Sequence, residues 1–198
     1  MDFEGASGYI LHRLEHELDT RLVYHSYSHT IDVFHSASRL SLHENIAEED
    51  QRLVETAALY HDAGMLNDYK NHEESSAIMA ADILKTFQYS SNQIETVCDL
   101  IRQTKLPQAA SSQLAEIICD ADLDYLGSDD FFMNSFRLKL EWQLFGINTY
   151  SLSEWFLLQE EFLTKHTFLT RSAREFRNAG KSANLESILA LNQQLKIK

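Results

Sequence analysis

A chain of 198 residues that holds a single proline, Pro107, and only six glycines offers few places for the backbone to break or turn. Sandwiches and barrels need turn residues every 8–12 positions or so, and nothing of that rhythm is present. Apolar residues instead recur at helical spacing nearly throughout, which predicts an all-α fold. Helices are expected over 6–19, 28–43, 48–62, 72–87, 91–104, 112–126, 129–145, 151–165 and 171–195. Ser90-Ser91 and Ser111-Ser112 suit helix N-caps, and Gly64 and Gly127 suit stops. With 44% hydrophobic residues, one domain spanning 1–198 can bury its own core without disulfides, and Cys98 and Cys119 form no disulfide framework. The segment 129–198 is richer in Phe, Trp and Arg than what precedes it. A C-terminal helical extension, about 128–198, is therefore expected on a core formed by about 1–127.

The formal charge of −13 argues against a broad nucleic-acid surface, which would need clustered Lys and Arg. It leaves room for a small phosphorylated substrate, because a bound cation governs its own site. The start, Met1-Asp2-Phe3-Glu4, has no basic and apolar leader, and no apolar run reaches the roughly 20 residues needed to span a bilayer. The expectation is a cytoplasmic protein with no membrane partner; the oligomeric state stays open.

Three short segments carry the chemistry: Tyr24-His25-Ser26-Tyr27-Ser28-His29, Tyr60-His61-Asp62-Ala63-Gly64 and Asp120-Ala121-Asp122-Leu123. Helical phase separates ligands from bystanders, since a ligand must point inward with the apolar stripe. His29 shares a face with Val33, Ala37 and Leu40, and His61 one with Val54, Ala57 and Ala58. Asp122 falls among Ile117, Ile118, Ala121 and Tyr125, whereas Asp120 is expected on a polar face with Glu116 and Asp124. A carboxylate in an apolar stripe is costly unless paired or metal-bound, so Asp122 is preferred over Asp120. His29, His61, Asp62 and Asp122 thus form a candidate set of two imidazoles and two carboxylates for one divalent ion. Mn, Fe, Co, Ni, Zn and Mg all fit such donors. His25, four residues before His29, would then neighbour the substrate. His12, His16, His35, His43 and His166 read as structural.

These segments resemble the HD superfamily of metal-dependent phosphohydrolases, whose pattern is H…HD…D on an all-α core. Tyr24 to Val33 is similar to the Y-H-N-x-x-H-x-x-D-V segment of cyclic nucleotide phosphodiesterases, with Ser26 in place of Asn. Ala57 to Gly64 is similar to A-x-L-x-H-D-x-G. Asn71 to Ala77, Asp120 to Gly127 and a tail including Arg137, Glu141, Trp142 and Phe162 resemble a bacterial subgroup of predicted HD phosphohydrolases. The resemblance implies His29, His61, Asp62 and Asp122 as metal ligands and His25 as proton donor to the leaving oxygen. It sets His72 near the position of a second-metal ligand. Where binuclear relatives carry a His pair, this chain has Thr104-Lys105, so one ion per chain is expected. The implied activity is hydrolysis of a phosphate mono- or diester of a small nucleotide or related phosphometabolite. Asp62 would orient the attacking water, Lys105 and Arg137 would neutralise phosphoryl charge, and Glu73 would hold a hydrogen bond behind a ligand or a bridging water. A di-iron oxygenase and a non-catalytic metal-bound sensor are the alternatives.

Overall fold

The computed structural model describes residues 1–196, so the last residues of the expected extension, 197 and 198, lie outside the described residues. Those described form nine α-helices and no strand: α1 Phe3–Glu17, α2 Tyr27–His43, α3 Glu48–Tyr60, α4 His72–Ile83, α5 Ser91–Gln103, α6 Gln113–Asp122, α7 Phe131–Leu144, α8 Leu152–Lys165 and α9 Arg171–Lys196. Short 3₁₀ turns at Ala63–Leu66, Leu84–Phe87 and Asp124–Gly127 join them. No helix is long and apolar enough to cross a membrane among these residues.

Helix α3 is the centre. Every residue from Leu53 to Tyr60 is buried, because α2, α5, α6 and α1 pack around it. Such a helix delivers side chains to the middle of the molecule, and the pair immediately after it, His61 and Asp62, is buried there. Helix α5 shows the commoner pattern, with Val97, Cys98, Leu100 and Ile101 facing inward and a Ser90–Gln93 capping box at its start.

Several expected boundaries move. The helix expected over 48–62 stops at Tyr60, the one over 72–87 ends as a 3₁₀ turn, and the one over 112–126 ends at Asp122 before its own 3₁₀ turn. Gly64 does not stop a helix. It lies in the 3₁₀ turn against α4, where a Cβ would collide with the His72 carbonyl oxygen and crowd the Ser76 amide. Its N–H donates to Ser76 Oγ at 2.7 Å. Glycine therefore lets the turn after α3 meet the start of α4, bringing His72 toward Asp62.

Helix α9 packs on α8 and on the Asp124–Gly127 turn, closing the molecule over the end of α6. This cover changes the fate of two carboxylates. Asp120 and Asp124, expected on a polar face, are both buried. Asp120 accepts from the amides of Leu169 and Thr170 and from the Thr170 hydroxyl at 2.7–3.1 Å. Asp124 lies between Arg39 at 2.8 Å and Arg177 at 2.6 Å. The face that periodicity marks as polar is an internal polar layer, because the segment opposite Asp120, Thr170, lies 50 residues further on, with α9 following it.

Candidate metal centre and substrate cavity

The N-terminus of α2 sets the first imidazole. Ser26 caps the helix by accepting the His29 amide at 3.4 Å, which puts His29 in the first turn, while His25 precedes the cap. Tyr24 stacks on the His29 ring with centroids 4.9 Å apart. The end of α3 sets the second. The His61 Nδ1–H donates to the Ala58 carbonyl at 2.8 Å, and since a carbonyl only accepts, the neutral ring keeps its lone pair on Nε2. Asp122, the last residue of α6, completes the group.

The donor atoms converge. His61 Nε2 lies 3.1 Å from Asp62 Oδ2 and 3.5 Å from Asp122 Oδ1. His29 Nε2 lies 3.5 Å and 3.3 Å from the same oxygens. Donors about 2.0–2.2 Å from a shared ion are spaced by roughly 3.0–3.5 Å, so the spacing fits a cation between them. His29 Nε2, His61 Nε2 and Asp62 Oδ2 are buried and lack a hydrogen-bond partner among the described residues. Unsatisfied buried polar atoms are costly, and three aimed at one point fit a missing common partner. Burial pushes Asp62 up, but the imidazoles of His61, His25 and His72 outweigh it and hold the carboxyl well below its ordinary range. Burial likewise opposes ionisation of Asp122, and the neighbouring His29 and His61 imidazoles outweigh it and lower its pKa. For His61, burial disfavours the cation but Asp62 and Asp122 prevail and raise its pKa. The pocket thus favours positive charge at its centre.

Asp62 also faces the other way. His72 Nε2 lies 3.3 Å from Asp62 Oδ1, and the ligand-capable atoms of His25, Asp62 and His72 lie within 4.8 Å of one another. Behind His25 is a residue whose role helical spacing alone does not reveal. Glu141 on α7 is fully buried and accepts the amides of Tyr24 and His25 at 2.8 and 3.0 Å, the Tyr69 hydroxyl at 2.8 Å, and His25 Nδ1–H. Burial raises its carboxyl, and the His25, Tyr24 and Tyr69 donors more than compensate, lowering it below the ordinary glutamate value. The available signal was a carboxylate among Leu138, Trp142 and Phe145 on a helix, the same pattern that singles out Asp122.

A cavity of about 600 Å³ opens over this group, lined among others by His25, Asp62, His72, Glu73 and Asp122 and by the exposed Lys70 and Lys105. Lys105 is exposed, with Nζ 3.2 Å from Asn71 Oδ1. The Glu73 carboxylate is 3.8 Å from His72 Nε2. Arg137 does not line the cavity; it is exposed on α7 and donates to Asn134 at 3.3 Å. The two residues are four apart on α7, and it is Glu141 that turns inward.

The HD domain family model matches residues 26–124, ending before α7 and beginning one residue after His25. An uncharacterized protein of Clostridium beijerinckii is 28% identical over 92 residues, and the match covers 45% of this chain and 58% of that protein's length. Among solved structures, a predicted HD superfamily hydrolase from an uncultured Thermotogales bacterium aligns over 97% of this chain and 92% of its own, at 20% identity and a TM-score of 0.64. Bacillus subtilis YpgQ, solved with ADP, aligns over 98% and 97% at 21% identity and a TM-score of 0.68. The Lin1889 protein of Listeria innocua aligns over 100% and 99% at 17% identity and a TM-score of 0.71.

Proposed function

The chain belongs to the HD domain family, and from that premise we propose that it hydrolyses a phosphate ester of a small nucleotide or related phosphometabolite, with water activated at a divalent ion held by His29, His61, Asp62 and Asp122. One observation carries the reading: three buried, unpartnered donor atoms and the Asp122 carboxylate converge at ion-ligand spacing. When bound, the ion would lower the pKa of a water and polarise a phosphoryl oxygen. Asp62, reaching both that group and His72, orients the attacking water. Glu141 accepts His25 Nδ1–H and so holds the ring, leaving Nε2 to deliver a proton to the leaving oxygen, a role worth about 10²–10⁴ in rate. His72, Lys105 and Lys70 supply positive charge around the phosphoryl group. The ADP bound to YpgQ, a protein of the same fold, supports a nucleotide among the candidates.

A second reading has its own observation. His25, Asp62 and His72 could together hold a second ion, in which case His25 would be a ligand rather than a proton donor. Metal content separates them: His25→Ala keeps its full complement under the first reading and loses one ion per chain under the second. A metal-resolved screen of nucleoside monophosphates, cyclic nucleotides and sugar phosphates tests the function itself. Metal-dependent phosphate release that Asp62→Ala abolishes is expected. Bound metal without turnover on any phosphate ester would overturn it.

A further inference from the structure

The cavity has two chemically different halves. Imidazoles and carboxylates make up part of the lining; another part, a wall, comes from α7, α8 and the loop between them, outside the residues matched by the family model. That wall consists of Leu138, Trp142, Ile147, Leu158 and Phe162, with one polar side chain, Gln159. Gln159 is 5% exposed, and none of the hydrogen bonds formed among the described residues uses its amide. With no partner among the described residues and no place among the fully enclosed polar atoms, the amide is open to the cavity that its side chain lines, where a bound molecule can pair with it.

The aromatic neighbour is held in place. Trp142 meets the Trp155 ring edge-on at 5.5 Å, and the Trp155 indole N–H is tied to Ser135 Oγ at 2.9 Å. Leu138 lies one turn before Trp142 on α7, and Leu158, Gln159 and Phe162 lie within one turn of α8, so two helices supply all of the wall but Ile147. A flat apolar surface beside a single amide, which can donate and accept at once, matches a planar ring with hydrogen-bonding edges. An acyl chain would leave the amide unpaired, and a bare sugar phosphate would leave the aromatic surface without a partner.

We infer that this wall is the base-binding half of the cavity: it receives the nucleobase of a nucleoside phosphate, with Gln159 pairing with the edge of the ring and so determining specificity. The inference rests on the proposed phosphate-ester chemistry for where the phosphate lies. Stacking on an aromatic surface contributes about 1–3 kcal/mol per base, or roughly 5- to 150-fold in affinity. One hydrogen bond to the amide adds a further ~5-fold.

Calorimetry on the metal-loaded full chain measures binding of adenosine, guanosine, cytidine and uridine monophosphates against ribose phosphate, which carries the same phosphate without a base. At least one nucleotide should bind about 10-fold or more tighter than ribose phosphate. In Gln159→Leu, a near-isosteric change, the spread among the four bases should collapse by about 5-fold while ribose phosphate is unaffected. Gln159→Glu, which replaces the amide donor with an acceptor, should reorder the bases. Equal binding of ribose phosphate and all four nucleotides to the wild type would overturn the inference, as would a uniform loss across all five ligands in both folded variants. Phosphate release is recorded in parallel. Turnover without base discrimination removes the inference and leaves the hydrolase reading; discrimination without turnover does the reverse.

Discussion

Replacing Glu141 by Gln changes a single atom yet cannot preserve the hydrogen bonding around it. One carboxylate oxygen takes the Tyr24 and His25 amides and the other takes His25 Nδ1–H and the Tyr69 hydroxyl, so four donors converge on two acceptors. Truncation to Ala would strand up to three protein donors besides the imidazole, at about 1–3 kcal/mol each, a large share of the about 5–15 kcal/mol that holds a domain together. Gln fills the same space. Its carbonyl keeps the two backbone amides, and its NH₂ then faces His25 Nδ1, which must give up its proton and accept, while Tyr69 also turns acceptor. The His25 proton moves to Nε2 and the negative charge behind the ring is gone. We expect a stability loss of about 1–3 kcal/mol in denaturant melts, unchanged metal content, and a fall in kcat of about 10²–10⁴ on alkyl phosphates. The fall should be much smaller on p-nitrophenyl phosphate, whose leaving group hardly needs a proton. Nitrogen NMR of the His25 ring reports the tautomer directly. An unchanged tautomer together with unchanged kcat would refute the reasoning, and equal losses on good and poor leaving groups would remove His25 as the proton donor.

Asp122→Asn should lower metal affinity strongly in equilibrium dialysis, whereas Asp120→Asn should keep the metal and cost about 1–3 kcal/mol of stability by loosening Leu169 and Thr170. His61→Ala and Asp62→Ala should each be isolated without the ion under elemental analysis; full occupancy in the double variant would discard the assignment. Gly64→Ala should destabilise by more than about 2 kcal/mol, with His72 displaced, because the new Cβ runs into α4 backbone. Acid sensitivity has a definite sign. Glu141 titrates below its ordinary value of 4.5 in the folded chain, so the unfolded state binds the proton more tightly. Its contribution is present above that value and lost as pH falls through the lower folded value. Glu141→Gln should therefore flatten the stability curve below about pH 4.5, and an unaltered acid limb would contradict the assignment.

What the sequence determined by itself is what depends on neighbours along the chain. The scarcity of breakers and the helical spacing suffice for the all-α class, and Ser90 and Ser112 are legible as caps because a cap acts within three residues. The inward phases of His29, His61 and Asp122 are also local properties, so the grouping of these residues with Asp62 could be anticipated before their distances were known. Only the tertiary structure decided the rest. Asp120 and Asp124 look solvated until Leu169, Thr170 and α9 return over them, and whether a buried carboxylate meets an ion, an arginine or a pair of amides depends on which distant segment arrives opposite it. Arg137 and Glu141 lie one turn apart on α7, and the rotation of that helix against Tyr24, His25 and Tyr69 is what brings in the acid and leaves the base outside. Gln159 belongs to the same class. Periodicity can tell that a residue faces inward, but not whether the space it faces is filled by side chains or left open as a cavity, because that depends on the packing of helices far apart in sequence.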